Sequence, residues 1–115
     1  MSVIDKIMNS AEADIDALHA LDRQGDRFSI ARPVDFLLRS ESQEKAALVA
    51  GFINDYQFGA AKANEDESGH SVQVIINMPV EQNVILSVSG FMQCIAELYG
   101  LEYDGWGCIA QTAPN

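Results

Sequence analysis

Residues 70–78 read His-Ser-Val-Gln-Val-Ile-Ile-Asn-Met, and Pro79 separates them from an apolar-rich stretch at 80–99 that ends at Gly100. In the first part, apolar side chains occupy every second position, which is the period of a half-buried strand. After Pro79 they recur every three or four positions, which is typical of an amphipathic helix. The sequence therefore predicts a strand at 70–78 and a helix at 80–99. The predicted buried stripe of the helix is Val84, Val88, Phe91, Ile95 and Leu98, widened by Ile85 and Met92.

A similar order of elements occurs earlier in the chain. A strand is predicted at 27–39, with its firm part at 34–39, because Pro33 cannot donate a ladder hydrogen bond and predicts an interruption or a bulge. A helix at 41–55 follows, and the segment 40–43, Ser-Glu-Ser-Gln, resembles a capping box at its start. A short strand at 56–63 and a polar turn at 65–69 lead into the strand at 70–78.

With a last strand predicted at 101–110, the elements follow the order βαββαβ, which is the split βαβ pattern. Right-handed crossovers place both helices on one face of a four-stranded antiparallel sheet, with the strands in the order fourth, first, third, second. We therefore predict an α+β, ferredoxin-like core at 27–110. The whole chain, 1–115, is expected to be a single domain, with an added N-terminal helix at 1–25.

The added helix is predicted at 2–24, with Ser2 as its cap and Gly25 as its stop. Its apolar stripe is Ile4, Ile7, Met8, Ala11, Ile15, Leu18 and Leu21, and its acids are expected to lie largely off that stripe, at Asp5, Glu12, Asp14, Asp16 and Asp22. Such a stripe must be buried against something. The helix is expected to cover the other face of the sheet, to pack at its edge, or to meet a second subunit.

The net charge is −10, and no Lys or Arg follows Lys62, although seven acids do. This distribution argues against direct nucleic-acid binding, because phosphate contacts need a basic face. It favours a protein partner with a basic segment, although an acidic surface also serves solubility alone. No apolar run approaches the roughly 20 residues of a membrane span, and the N-terminus lacks the features of a secretory signal. A cytoplasmic location is therefore expected.

Metal, cofactor and catalytic signals are weak in this sequence. The two cysteines, Cys94 and Cys108, have no C-x-x-C spacing, and both histidines stand apart from other metal-ligand residues. No nucleophile motif occurs. We therefore expect no catalytic residues, no metal, no cofactor and no enzymatic activity.

Residues 101–108 read Leu-Glu-Tyr-Asp-Gly-Trp-Gly-Cys and hold the only Trp of the chain between two glycines. Leu101 and Tyr103 share one parity, whereas Trp106, Cys108 and Ala110 share the other. A one-residue bulge at Gly105 would bring all five to one side of the sheet. A second interpretation treats Glu102, Asp104 and Trp106 as part of a partner surface, with the Trp as its anchor. The two interpretations are compatible.

The stretch Glu102 to Gly107, together with the preceding Ile95 to Leu101, resembles a bacterial family, the regulator of ribonuclease E activity B. The resemblance in element order covers roughly 27–110. It implies a ferredoxin-like fold, no catalytic activity, and inhibition of ribonuclease E by binding to its C-terminal, non-catalytic part. Because that part is rich in basic segments, it suits an acidic partner.

These observations together predict a non-enzymatic regulatory protein that modulates RNA turnover. The expected partner-binding residues are Glu102, Tyr103, Asp104 and Trp106, with the acidic loop Glu65, Asp66 and Glu67. One alternative is a small-molecule-sensing ferredoxin-like domain, often dimeric, with a pocket between sheet and helix. Another is a structural homo-oligomer held together by the N-terminal helix.

Overall fold

The computed structural model describes residues 2–112. The sequence predicts a frayed tail at 113–115, and this segment lies outside the described residues. The elements are α1 (Val3–Arg23), β1 (Arg32–Ser40), α2 (Gln43–Asp55), β2 (Ala60–Asp66), β3 (Gly69–Met78), α3 (Gln82–Tyr99) and β4 (Glu102–Cys108). The four strands form one antiparallel sheet in the order β2-β3-β1-β4. The predicted α+β, ferredoxin-like fold and its strand order are confirmed. No helix within 2–112 is long and apolar enough to cross a membrane.

The core lies between one face of the sheet and the helices α2 and α3. The central strands supply fully buried side chains, and the helices cover them with residues of the same kind. The fully buried apolar side chains of this core include Val34, Phe36, Leu38, Val49, Ile53, Val72, Val74, Val80, Ile85 and Met92. Full burial of one such side chain contributes about 1.5–3 kcal/mol. The central position of β1 and β3 explains why these two strands show the clearest apolar alternation in the sequence.

The first helix begins as predicted, but the second begins later. Ser2 accepts a hydrogen bond from the Asp5 N–H, which completes a capping box. At α2 the cap is Ser42, whose hydroxyl accepts from the Lys45 N–H at 3.2 Å. The predicted capping box at 40–43 is therefore wrong, because Ser40 still pairs with His70 in the sheet. The chain needs the next two residues to leave β1 before a helix can start.

Two predicted strand boundaries also differ. β1 starts at Arg32 and runs without interruption through Pro33, which lies opposite Asn77 of β3. Proline is tolerated there because the pairing of β1 with β4 begins only at Val34. The predicted turn at 65–69 shrinks to Glu67 and Ser68, since the sheet pairing continues to Asp66 and Gly69.

β2 begins at Ala60 rather than at residue 56. Gln57 has a positive φ of 60°, which lies outside the β region that a side-chain-bearing strand residue adopts. Gly59 then approaches β3 so closely that a Cβ atom would lie 2.8 Å from Val74 Cγ1. The alternation of Tyr56 and Phe58 therefore belongs to a turn, where both rings contact Phe52 of α2.

The buried face of α3 is rotated by about one residue from the prediction. Its buried residues are Ile85, Ser89, Met92, Gln93, Ile95 and Ala96, whereas Leu98 of the predicted stripe is 77% exposed. The reason is that α3 packs against two neighbours, the sheet and α1, whereas a single apolar stripe predicts burial against only one neighbour. Polar residues at Ser89 and Gln93 become buried where α1 covers the helix.

α1 packs antiparallel along α3, on the side of the helical layer that lies next to β4. Lys6 Nζ lies 2.7 Å from Glu97 Oε2, and Ser10 Oγ donates to Gln93 Oε1 at 2.9 Å. Two parts of the prediction for α1 are wrong. Ile4 and Met8 are exposed, and Asp14 is buried with 3% of its surface accessible. Within residues 2–112, no helix covers the opposite face of the sheet.

A buried ion pair holds the loop before β1 to the segment after β4. Arg32 Nη1 lies 2.5 Å from Asp26 Oδ2, and the two side chains are 1% and 0% exposed. The guanidinium also donates to the carbonyls of Arg27 and Ile30, and the Gln111 N–H donates to Asp26 Oδ2 at 3.0 Å. Burial alone would raise the pKa of Asp26, but these hydrogen bonds and the Arg32 charge hold it below its usual value.

Candidate functional site

The last strand contains a bulge between two of its cross-strand pairs. Trp106 lies opposite Phe36, and Tyr103 lies opposite Leu38, so that Asp104 and Gly105 together face Leu37. Gly105 adopts a φ of +91°, which side-chain-bearing residues rarely adopt. The bulge predicted from the change of parity is therefore confirmed. It places these residues on the helix side of the sheet: Leu101, Tyr103, Trp106, Cys108 and Ala110.

We expect Gly105→Ala to lower the free energy of unfolding by about 1–2 kcal/mol, because its backbone lies in the left-handed region. A Cβ at this position meets no atom within 4 Å, so the loss would reflect backbone strain alone. Gly107→Ala is the matched control, since Gly107 has equal space and no positive φ. Urea unfolding measures both variants, and equal losses would contradict the proposed role of the bulge conformation.

Trp106 faces the interior of the domain. Its side chain is half-buried against the core, and its indole Nε1–H donates to Asp14 Oδ1 at 2.8 Å. Next to it, the Tyr103 hydroxyl shares a hydrogen bond of 2.8 Å with Ser89 Oγ. Burial raises the pKa of the Tyr103 phenol, so this group stays neutral. Both aromatic side chains thus position the strand against α1 and α3.

Asp14 is a buried acid with an incomplete set of hydrogen bonds. Its Oδ1 accepts from Trp106, whereas its Oδ2 is buried and has no hydrogen-bond partner among residues 2–112. Burial raises the pKa of the Asp14 carboxyl, and the nearby Ser89 hydroxyl and the Trp106 N–H offset part of that rise. An unsatisfied buried polar atom lowers stability, by about 1–3 kcal/mol in measured cases. Such a group therefore calls for a functional explanation.

This raised pKa predicts how Asp14→Asn changes stability with pH. The folded protein holds the Asp14 proton more tightly than the unfolded chain does. The contribution of Asp14 protonation to the free energy of unfolding is therefore complete below about pH 3.9. It is lost as the pH rises through the raised pKa of the folded state. The amide has no such dependence, so we expect the variant to gain stability relative to wild type between pH 3 and pH 7. Melting temperatures across this range test it.

Asp16→Asn is the control for this experiment, because Asp16 is on the same helix and is exposed. It removes the same charge without a buried carboxylate. A stability difference between Asp14→Asn and wild type that stays constant across pH would contradict the assignment.

A groove lies on the helix side of the bulge, between α1, α3 and the start of β4. This helix-side groove has a volume of about 580 Å³ and is lined by Lys6, Ser10, Asp14, Gln93 and residues 101–105, among others. Three of the lining residues are acids: Asp14, Glu102 and Asp104. The ammonium of Lys6 is already paired with Glu97. The groove therefore carries an excess of negative charge.

A second depression lies on the open face of the sheet. This sheet-face depression measures about 550 Å³, and its lining includes the carboxylates of Asp35, Asp66 and Asp104. Asp35 Oδ1 accepts from Gln73 Nε2 at 3.0 Å. Within residues 2–112, no Lys or Arg lines it, although Arg39 next to it pairs with Asp104 at 3.1 Å. Asp104 and Gly105 line both cavities, so the bulge forms the wall between them.

The structure brings together most of the predicted partner-binding residues. Glu102 and Asp104 are exposed at the bulge, whereas Tyr103 and Trp106 point inward beside them. In the acidic loop of Glu65, Asp66 and Glu67, only Asp66 lines a cavity. It lies at the same end of the sheet as Asp104 and shares its face of β2 with Asn64, which also lines the sheet-face depression. Glu65 and Glu67 are exposed but line neither cavity.

Sequence reasoning missed Asp14, Ser89 and Gln93, which form the floor of the helix-side groove or lie beside it. One signal was present: Asp14 lies four residues before Leu18 and seven before Leu21, so it occupies the buried stripe of α1. Also missed was a partly exposed aromatic cluster formed by Phe52, Tyr56, Phe58, Phe91 and Tyr99.

The fold and these cavities define a class: a small α+β protein with an acidic bulge between two negatively lined depressions. Within residues 2–112, no three His, Cys, Asp or Glu side chains are grouped as a metal ion would require. The chain belongs to the family described as regulator of ribonuclease activity B, whose sequence model matches residues 11–108. The resemblance inferred from the bulge motif is thereby confirmed, and regulation of ribonuclease activity is the function of this family. A comparison with curated proteins finds no match.

Proposed function

We propose that this protein is a non-enzymatic regulator that binds a basic segment of ribonuclease E and thereby modulates RNA turnover. Its family supports the ribonuclease as the target class, and its net charge of −10 supports a basic segment as the contact. The observation that carries the proposal is the position of Asp104. This exposed acid stands where the helix-side groove and the sheet-face depression meet.

The charges around the bulge suit a basic peptide that crosses it. Each cavity is lined by three acids, and the nearby Lys6 is engaged with Glu97. Arg39 pairs with Asp104 at the surface, so a basic segment that binds at the bulge would compete with Arg39 for this carboxylate. Acids on an exposed rim mainly raise the association rate and disfavour wrong partners. Apolar and hydrogen-bonded contacts inside the cavities would then set the residence time.

The test is binding of the full chain to the purified C-terminal, non-catalytic part of ribonuclease E. We expect the double variant Glu102→Lys and Asp104→Lys to bind at least about tenfold more weakly, because attraction at the bulge becomes repulsion. We also expect wild-type affinity to fall as ionic strength rises, since salt screens exposed charges. Isothermal titration calorimetry at two salt concentrations measures both effects.

The matched control is the double variant Glu65→Lys and Glu67→Lys. It changes the net charge by the same amount at two predicted residues that line neither cavity. An equal loss in both double variants would show that net charge alone matters and would reject the bulge as the contact. No binding by wild type at either salt concentration would reject ribonuclease E as the partner.

A further inference from the structure

The helix-side groove contains a carboxylate oxygen that the protein leaves unsatisfied. Asp14 is 3% exposed, and among residues 2–112 its Oδ2 has no hydrogen-bond partner. The other oxygen is held by Trp106, so the carboxylate has a fixed orientation. Because Asp14 lines the groove, the missing partner of Oδ2 would come from a ligand in that groove.

The chemistry of the groove favours a cation as that ligand. Asp14 shares the lining with Glu102 and Asp104, and Lys6 is engaged with Glu97. Leu101 and Ala13 add apolar surface along which an aliphatic stem can lie. A positive group donating to Oδ2 would also counteract the effect of burial on the Asp14 carboxylate.

We propose that the helix-side groove receives an arginine side chain of the partner, with its guanidinium donating to Asp14 Oδ2. This inference rests on the proposed function and names the residue type that the groove recognises. A guanidinium is planar, has five N–H donors and is weakly hydrated, so it can reach two acceptors in a buried site. A lysine ammonium keeps its water more strongly and fits this site less well. Asp14 thereby determines specificity for arginine within a basic segment.

Oδ2 is closed off from water in the free chain, so the side chains over it must shift when the guanidinium enters. This shift changes the surroundings of the Trp106 indole, which donates to the other oxygen of the same carboxylate. Trp106 is the only Trp of the chain, so its indole N–H produces a single resonance in an NMR spectrum. The molecule therefore carries its own reporter for occupation of the site.

The experiment titrates the full chain with N-acetyl-arginine amide, N-acetyl-lysine amide and the neutral isostere N-acetyl-citrulline amide. We expect a saturable shift of the Trp106 indole resonance with the arginine probe, a weaker response to the lysine probe and none to the citrulline probe. Asp14→Asn keeps an oxygen acceptor for Trp106 and should abolish the response. Asp16→Asn, an exposed change on the same helix, should leave it intact. An equal response to citrulline, or a full response of Asp14→Asn, would overturn the proposal.

A second measurement separates this inference from the proposed function. The ribonuclease E fragment should bind Asp14→Asn at least about thirtyfold more weakly than wild type, because a buried charge pair is lost. Unchanged binding of the fragment by this variant would overturn the arginine site and leave the proposed function standing. A wild-type chain that responds to the arginine probe but does not bind the fragment would support the site and reject ribonuclease E as its source.

Discussion

Replacing Asp26 with alanine is expected to lower the free energy of unfolding by about 3–5 kcal/mol, the largest effect of any single change considered for this chain. The variant leaves the Arg32 guanidinium, whose side chain is 1% exposed, without a counter-charge. It also leaves the Gln111 N–H without its acceptor. A loss of this size is a large part of the total stability of about 5–15 kcal/mol that is usual for a small domain. Urea unfolding monitored by circular dichroism would measure it.

Asp104→Ala is the control within the same molecule, because it breaks an ion pair at a similar distance but on the surface. Arg39 and Asp104 lie 3.1 Å apart, and their side chains are 42% and 48% exposed. Exposed pairs of this kind contribute about 0–1 kcal/mol. If both variants lost the same amount, burial could not be the reason for the strength of the Asp26 interaction.

The same pair makes the fold sensitive to acid. The folded-state pKa of Asp26 lies below its value in the unfolded chain. The stabilising contribution of Asp26 is therefore present above about pH 3.9 and is lost as the pH falls through the lowered folded pKa. As the pH falls through this range, the free energy of unfolding of Asp26→Ala should therefore decrease less than that of wild type.

The second large effect is expected for Trp106→Phe, which should lower the free energy of unfolding by about 2–3 kcal/mol near neutral pH. Phenylalanine retains most of the apolar contact but removes the indole N–H that donates to Asp14 Oδ1. Hydrogen bonds to charged groups contribute about 1.5–3 kcal/mol, and the loss of this one leaves the buried Asp14 Oδ1 without its N–H donor. Thermal and urea unfolding of the variant would measure the change.

A double-mutant cycle isolates this hydrogen bond from packing. Asp14→Leu replaces the carboxylate by an apolar group of similar branching, so Trp106→Phe should then cause only a small further loss. The coupling energy is expected to be about 1.5–3 kcal/mol. Additive losses in the double variant would mean that Trp106 contributes through packing alone, and that the Asp14 hydrogen bond is not a stabilising contact.

Several parts of this architecture follow from the sequence because local patterns determine them. The alternation along β3 reflects its place inside the sheet, where Val72, Val74 and Met78 are buried and Ile76 is partly buried on one face. The change of parity around Gly105 predicted the bulge, since only an extra residue can keep Tyr103 and Trp106 on one side. The six residues from Glu102 to Gly107, which contain this bulge, also indicated the family.

Other parts depend on contacts between distant segments, which local patterns do not encode. Asp14 and Trp106 are 92 residues apart in the chain, and neither position reveals the other. The rotation of α3 depends on where α1 packs, and three locations for α1 were compatible with its stripe. The late start of β2 follows from the close approach of Gly59 to Val74, which is a property of the assembled sheet.

The bulge also determines which kinds of mutation β4 tolerates. Because successive strand residues alternate between faces, deletion of Gly105 would turn Trp106 and Cys108 outward in one step. A substitution at Glu102 or Asp104 changes only the side chain that is replaced. The segment is thus more constrained in length than in composition, and a reading-frame-preserving insertion or deletion there is more harmful than most point mutations.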